Sequence, residues 1–119
     1  MNLKYLLAIF LFLSSCQSQN TGLVSKPKNQ SNTASEKLFN SLCVNCHKCE
    51  ESLIGPTLAG AKQRWESKAL LYEYIRNPQA VIAKNEYAHN LANQYKPYIM
   101  TAFPNLTDEQ IEAVLSYCD

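Results

Sequence analysis

The sequence predicts an all-α domain, and three observations carry that prediction. Glycine is scarce, with 3 in 119 residues, while Leu, Ala, Tyr, Glu and Lys dominate the later half, a composition that favours helices. Two capping-box signatures, Thr33-Ala34-Ser35-Glu36 and Thr107-Asp108-Glu109-Gln110, stand before apolar runs. Between them, Ser67 to Arg76 sets Leu70 or Leu71, Tyr74 and Ile75 at helical spacing. No strand–helix alternation is legible. At this length the chain holds one domain plus appendages.

The N-terminus reads as a targeting device. Lys4 is the single charge of a short basic region, and Leu6 to Leu13 is an apolar run too short to span a membrane comfortably. Leu13-Ser14-Ser15-Cys16 resembles the bacterial lipobox, an apolar residue and two small ones before a cysteine that takes a lipid. An ordinary secretory signal with a chance cysteine is the plainer alternative. Residues 1–15 are thus expected to be a lipoprotein signal peptide, with Cys16 as the lipid attachment point. The mature chain would be exported and lipid-anchored to a bacterial membrane, its domain in the periplasm or at the cell surface, where disulfides persist. From Gln17 to Asn32 the chain is polar and has no amphipathic period. Residues 16–33 are read as a lipidated flexible tether, extending roughly 20–25 Å on average.

The first helix is expected to start at Thr33 as N-cap and to run through Leu38, Phe39, Leu42 and Cys43. Phe39 and Cys43, four apart, share a face. The helix should end at Cys43-Val44-Asn45-Cys46-His47, which has the C-x-x-C-H form of a c-type haem attachment site. Two thiols at this spacing can add to the two vinyl groups of one haem, and the next residue offers an imidazole to the iron. Two other readings compete. Cys43, Cys46, His47 and Cys49 supply four zinc-type ligands, but structural zinc sites usually join two pairs from separated segments. A redox dithiol belongs beside a βαβ pattern, which is missing here. Beyond a loop at Glu50-Glu51-Ser52 comes Ile54-Gly55-Pro56-Thr57-Leu58-Ala59-Gly60. Gly-Pro breaks regular structure. It makes either a plain turn or a turn that orients His47 through the imidazole's second nitrogen.

The middle helix, 67–76, should end at Asn77-Pro78. Gln79 to Tyr95 is mixed and leaves room for another short helix. It holds His89, the other histidine, read as a surface residue and a reserve axial ligand. Thr107 then caps a last helix carrying Ile111, Val114, Leu115 and Cys118 at three- and four-residue steps. The methionines are Met1 and Met100, so Met100 is the one left after signal removal. Net charge is +1 and falls to about zero without Lys4; nothing points to nucleic acid.

In this order and spacing, the features from about Ala34 to Asp119 resemble a class I cytochrome c domain of the small bacterial kind. The series is the aromatic Phe39 four before Cys43, the C-x-x-C-H motif, Gly55-Pro56-x-Leu58, and Ile75-Arg76-Asn77-Pro78 closing a helix. Met100 with Phe103-Pro104 and a terminal helix complete it. The resemblance implies a domain over 34–119 with three to five helices wrapped around one covalent haem c. Cys43 and Cys46 would form the thioether bonds, and His47 and Met100 would be the axial metal ligands. The carbonyl of Pro56 would accept the His47 N–H, Leu58 would pack on the haem, and Arg64 and Trp65 would bring polar groups to the propionates. Tyr117 resembles the aromatic that packs the last helix on the first. Ser35 stands where the family often has glycine at the crossing of those helices, and the last helix lacks the usual extra turn. Because that helix packs near the haem segment in the family, a Cys49–Cys118 disulfide is implied; a free Cys49 and a merely buried Cys118 are the alternative.

Electron transfer follows as the expected function, with transient redox protein partners and the membrane met through the N-terminal lipid. An enzyme such as a peroxidase needs an open distal position with acid–base residues beside it, and none is legible. A haem-containing sensor or structural subunit of a larger respiratory complex is the alternative.

Overall fold

The computed structural model describes residues 28–119. The expected signal peptide, Cys16 and the tether up to residue 27 lie outside the described residues. Six helices and no strand occur among the described residues: α1 (Lys28–Leu42), α2 (Ala61–Arg64), α3 (Lys68–Arg76), α4 (Pro78–Ile82), α5 (Glu86–Gln94) and α6 (Asp108–Cys118). The count exceeds three to five because α2 and α4 are single turns of 4 and 5 residues, and because the stretch 79–95 is split in two.

Local chemistry explains most boundaries. Ser67 accepts from Leu70 N at 3.2 Å and starts α3. Asn77 receives the last bond of α3, from its own N–H to Glu73 O at 2.8 Å, then caps α4 by accepting from Ala80 N, with Pro78 preset in the first helical position. Asn85 caps α5 by accepting from Ala88 N at 2.9 Å. Thr107 and Gln110 form the expected capping box of α6, with Gln110 N donating to Thr107 Oγ1 and Thr107 N to Gln110 Oε1.

Two boundaries of α1 differ from expectation. The helix begins at Lys28, so residues 28–33 are helical rather than tether, and Thr33 lies inside the helix rather than capping it. Residues 28–42 contain neither Gly nor Pro, so no backbone breaker stops the helix short of Thr33. At the other end α1 stops at Leu42 rather than reaching His47. Cys43 N and Val44 N both donate to Phe39 O, and Cys46 N and His47 N both donate to Cys43 O. The cysteine motif is therefore a tight turn set against the end of α1.

Two apolar clusters flank this turn. Phe39 of α1 packs with Val114 and Cys118 of α6, with Leu38, Cys43, Cys49 and Leu58 against them. The larger cluster joins Trp65, Leu71, Tyr72 and Tyr74 to Val81, Ala88, Ile111 and Leu115, with Leu91 and Met100 at its edge. Helix α6 serves both clusters, because Ile111 and Leu115 face one and Val114 and Cys118 the other. Ser35 is buried on the α1 face that also carries Phe39, and the Phe39 and Tyr117 rings lie 5.4 Å apart.

Candidate functional site

The His47 side chain is fixed from two directions. Its Nδ1 lies 2.7 Å from the carbonyl oxygen of Pro56. A carbonyl can only accept, so Nδ1 carries the proton and Nε2 keeps its lone pair for a metal. Gly55 lies flat against the ring: a Cβ there would stand 2.5 Å from His47 Cε1 and 2.9 Å from Nδ1. Gly55 N in turn donates to Cys46 O at 2.8 Å, closing the loop onto the cysteine turn. Further along, Leu58 N bonds Lys48 O and Ala59 N bonds Cys49 O. The 48–49 and 58–59 backbones therefore run side by side and hold Pro56 at its distance.

Cys43 and Cys46 are free thiols, Cys43 half-buried and Cys46 exposed. Burial first, and the neighbouring Cys46 second, push the Cys43 thiol up to about 11. Cys49 is bonded to Cys118, with Cα atoms 4.8 Å apart. With Cys49 so engaged, a four-ligand zinc site is lost, and no cluster of three or more His, Cys, Asp or Glu that could hold a metal ion exists among the described residues.

An apolar slot opens in front of the turn. Two adjoining clefts share Cys43, His47, Pro56, Tyr74, Leu91, Met100 and Phe103 as walls. Met100 comes from the irregular segment after α5. That segment is anchored by Tyr98 N to Tyr95 O at 3.0 Å and by Phe103 N to Ile75 O at 3.1 Å. Leu58, Arg64 and Trp65 line the inner cleft. Trp65 is buried between Tyr74 and Tyr87, at ring distances of 4.8 and 5.0 Å. Arg64 donates to the carbonyls of Ala59 at 2.7 Å and Thr57 at 2.5 Å, so its first observed partners are backbone. It also borders a more polar hollow with Ser52, Asn90, Gln94 and Tyr95. His89 is exposed on α5 and lines none of these clefts.

The donor set fits a covalent iron porphyrin. Two free thiols three residues apart, an imidazole with its lone pair free and a thioether in the walls of the same apolar slot are what that group needs. The sequence reading missed Gly55 as a contact of the ligand ring, and missed Tyr74 and Leu91 as walls. A glycine directly before the orienting proline was the available signal for the first; the other two reach the slot from separate helices and had none.

Residues 33–118 match the Cytochrome c family. The chain belongs to the cytochrome c family. It is 30% identical to cytochrome c from Rhodothermus marinus, with a TM-score of 0.60 over 74% of this chain and 73% of that one. An engineered Rhodothermus marinus cytochrome c bound to a carbene intermediate is also similar, at 30% identity and a TM-score of 0.57, covering 74% of this chain and 73% of that one. Photosystem II extrinsic protein V of Synechocystis is 28% identical over 92 residues. That match takes in 71% of this chain and 58% of the relative, so the chain spans little more than half of that protein. Membership makes covalently bound haem c the cofactor, and members of the family are typically electron carriers. Cytochrome c domains are typically exported, and among the described residues no helix is long and apolar enough to cross a membrane.

Proposed function

We propose that this chain is a lipid-tethered, single-haem electron carrier. In it Cys43 and Cys46 would form the thioether bonds, His47 Nε2 and Met100 Sδ would ligate the iron, and Cys16 would carry the lipid. The observation that carries the reading is the His47 Nδ1 to Pro56 O contact at 2.7 Å, with Met100 in the walls of the same slot. When bound, the haem supplies one reversible Fe(II)/Fe(III) electron step. The Pro56 carbonyl holds the imidazole in one tautomer and raises its basicity. Met100, in the walls of the same slot, would supply a thioether ligand that favours the reduced state and would leave no open position for a substrate. Leu58 would pack on the haem, and Arg64 and Trp65, which line the same cleft, would bring polar groups to its carboxylates. Redox partners dock transiently, and the lipid raises their effective concentration at the membrane.

The full chain, expressed with a bacterial haem-attachment system, should keep its haem on a denaturing gel and give a low-spin reduced spectrum. Met100→Ala should abolish thioether ligation and lower the potential. A haem that denaturant removes, or a Met100→Ala protein with unchanged distal ligation, would sink the assignment. Cys16→Ser should move the protein from the membrane to the soluble fraction; membrane retention would remove the lipid from the reading.

A second reading has its own support. The likeness to a Photosystem II extrinsic protein favours a haem-containing subunit of a larger assembly. Co-purification in a stable complex, with no electron exchange with small redox proteins, would select it over the mobile carrier.

A further inference from the structure

The haem motif overlaps a second cysteine pair at the same spacing. Cys43-x-x-Cys46 runs directly into Cys46-His47-Lys48-Cys49, so Cys46 has a cysteine three residues away on either side. A cysteine oxidised to its neighbour has no thiol left to form a thioether. Cys46 is exposed and free, which leaves it open to that side reaction. Cys49, by contrast, is bonded to Cys118, 69 residues away.

Chain statistics run against the long pairing. Loop-closure cost rises with the length of chain closed, and the Cys49–Cys118 bridge closes 69 residues. The fold overrides this. Helix α6 packs on α1 and buries Cys118 beside Phe39 and Val114, bringing its Cα within 4.8 Å of that of Cys49. The flanks of the bridge are tied as well. Ala59 N bonds Cys49 O at 2.9 Å. Asp119, next to Cys118, accepts from Gly60 N at 2.9 Å and pairs with Lys62 at 2.9 Å.

We propose that the Cys49–Cys118 bridge protects haem attachment by withdrawing Cys49 from competition for Cys46. The proposal rests on Cys43–His47 being the attachment site. The competing reaction joins the Cys46 and Cys49 thiols: together they lose two protons and two electrons to a disulfide oxidant, which is reduced to two thiols. Once Cys49 is bonded to Cys118, the same product needs the Cys46 thiolate to attack Cys49 Sγ and expel the Cys118 thiolate. The packing of α6 and the Asp119 contacts oppose that exchange by holding Cys118 in place.

The test compares three full-length chains exported with a haem-attachment system: wild type, Cys118→Ser and Cys49→Ser/Cys118→Ser. Covalent haem per chain is read by intact mass, and disulfides in the haem-free fraction by peptide mapping after alkylation. Cys118→Ser should lose covalent haem at least fivefold and show a Cys46–Cys49 disulfide. The double variant, in which Cys49 can no longer compete for Cys46, should return to within twofold of wild type. Equal haem content in the single and double variants, high or low, overturns the proposal, because a bridge that only staples the fold is lost equally in both. A wild-type chain without covalent haem overturns the reading of Cys43–His47, and the protection with it.

Discussion

At the scale of single residues, the ligand side of the site depends on an atom that is missing. Gly55 has no side chain, and a Cβ there would meet His47 Cε1 at 2.5 Å. The ring cannot swing away without giving up its bond to Pro56 O. Gly55→Ala should therefore displace His47 and cost about 1–3 kcal/mol as an overpacking change. The readout is a rise in high-spin character of the haem protein together with a lower denaturation midpoint; an unperturbed low-spin spectrum would mean the loop yields instead. The haem-attachment residues are legible at this scale because their signal is local, with Cys43, Cys46 and His47 in one pentapeptide, whereas the Gly55-Pro56 turn reads equally as a plain turn until the family resemblance assigns Pro56 to His47. Met100 is implied by the resemblance to the cytochrome c family, with its standing as the methionine left without Met1 in support. Arg64 was only half legible. Its place beside the slot follows from its position, but its bonds to Ala59 O and Thr57 O depend on how tightly the 57–64 turn closes, which no pattern in the sequence encodes.

At the scale of elements, α6 decides whether the slot has a floor. Its capping box is local and was readable from Thr107 and Gln110; Thr107→Ala should cost about 1 kcal/mol, measured by urea denaturation of the haem protein. Its packing is a larger effect. Phe39 is buried against Val114 and Cys118 and touches the Tyr117 ring, so Phe39→Ala should cost about 3–5 kcal/mol, several times the loss of the cap. A Phe39→Ala cost no larger than that of Thr107→Ala would mean the α1–α6 contact is slack. Elements were misjudged where stops were sought in the wrong currency. The start of α1 at Lys28 is not legible because residues 28–32 are polar and without apolar period, although no helix breaker lies among them. The division of 79–95 into α4 and α5 was missed because its cap, Asn85, lies in a stretch without clear apolar period.

At the scale of the whole molecule, a polar network on the far side of α6 ties it to α2 and α3. Glu112 accepts from Lys62 at 3.0 Å, from Ser116 at 3.0 Å and from the Tyr72 hydroxyl, and pairs with Lys68 at 2.7 Å. Lys62 also pairs with Asp119. These partners are 40 or more residues apart along the chain for Tyr72 and Lys62, so nothing in the sequence announced them. Hydrogen bonds from Lys68, Tyr72 and Lys62 hold the Glu112 carboxyl well below the usual carboxylate range, and Lys62 with Gly60 N lowers Asp119. A carboxylate with a depressed folded pKa contributes stability above its unfolded value, near pH 4, and loses it as pH falls toward the folded value. On the alkaline side the sign reverses. Asp119 raises Lys62, Glu112 raises Lys68, and burial followed by Glu112 raises Tyr72. Their contributions are complete below about pH 10 and fade as pH rises through the folded values. The urea midpoint of the wild-type protein should therefore be flat from about pH 5 to 9 and fall on both sides. Glu112→Gln should lower the plateau, and its gap to wild type should close as pH drops below about 4, where the Glu112 carboxylate of the unfolded chain takes up its proton while that of the folded chain does not. Because the network is partly exposed, with the Lys68 and Glu112 side chains 58% and 36% accessible, added salt should shrink the same gap at pH 7. A gap that stays constant across pH and salt would mean Glu112 acts through packing alone, leaving the Lys62–Asp119 pair as the charged tie between α2 and the end of α6.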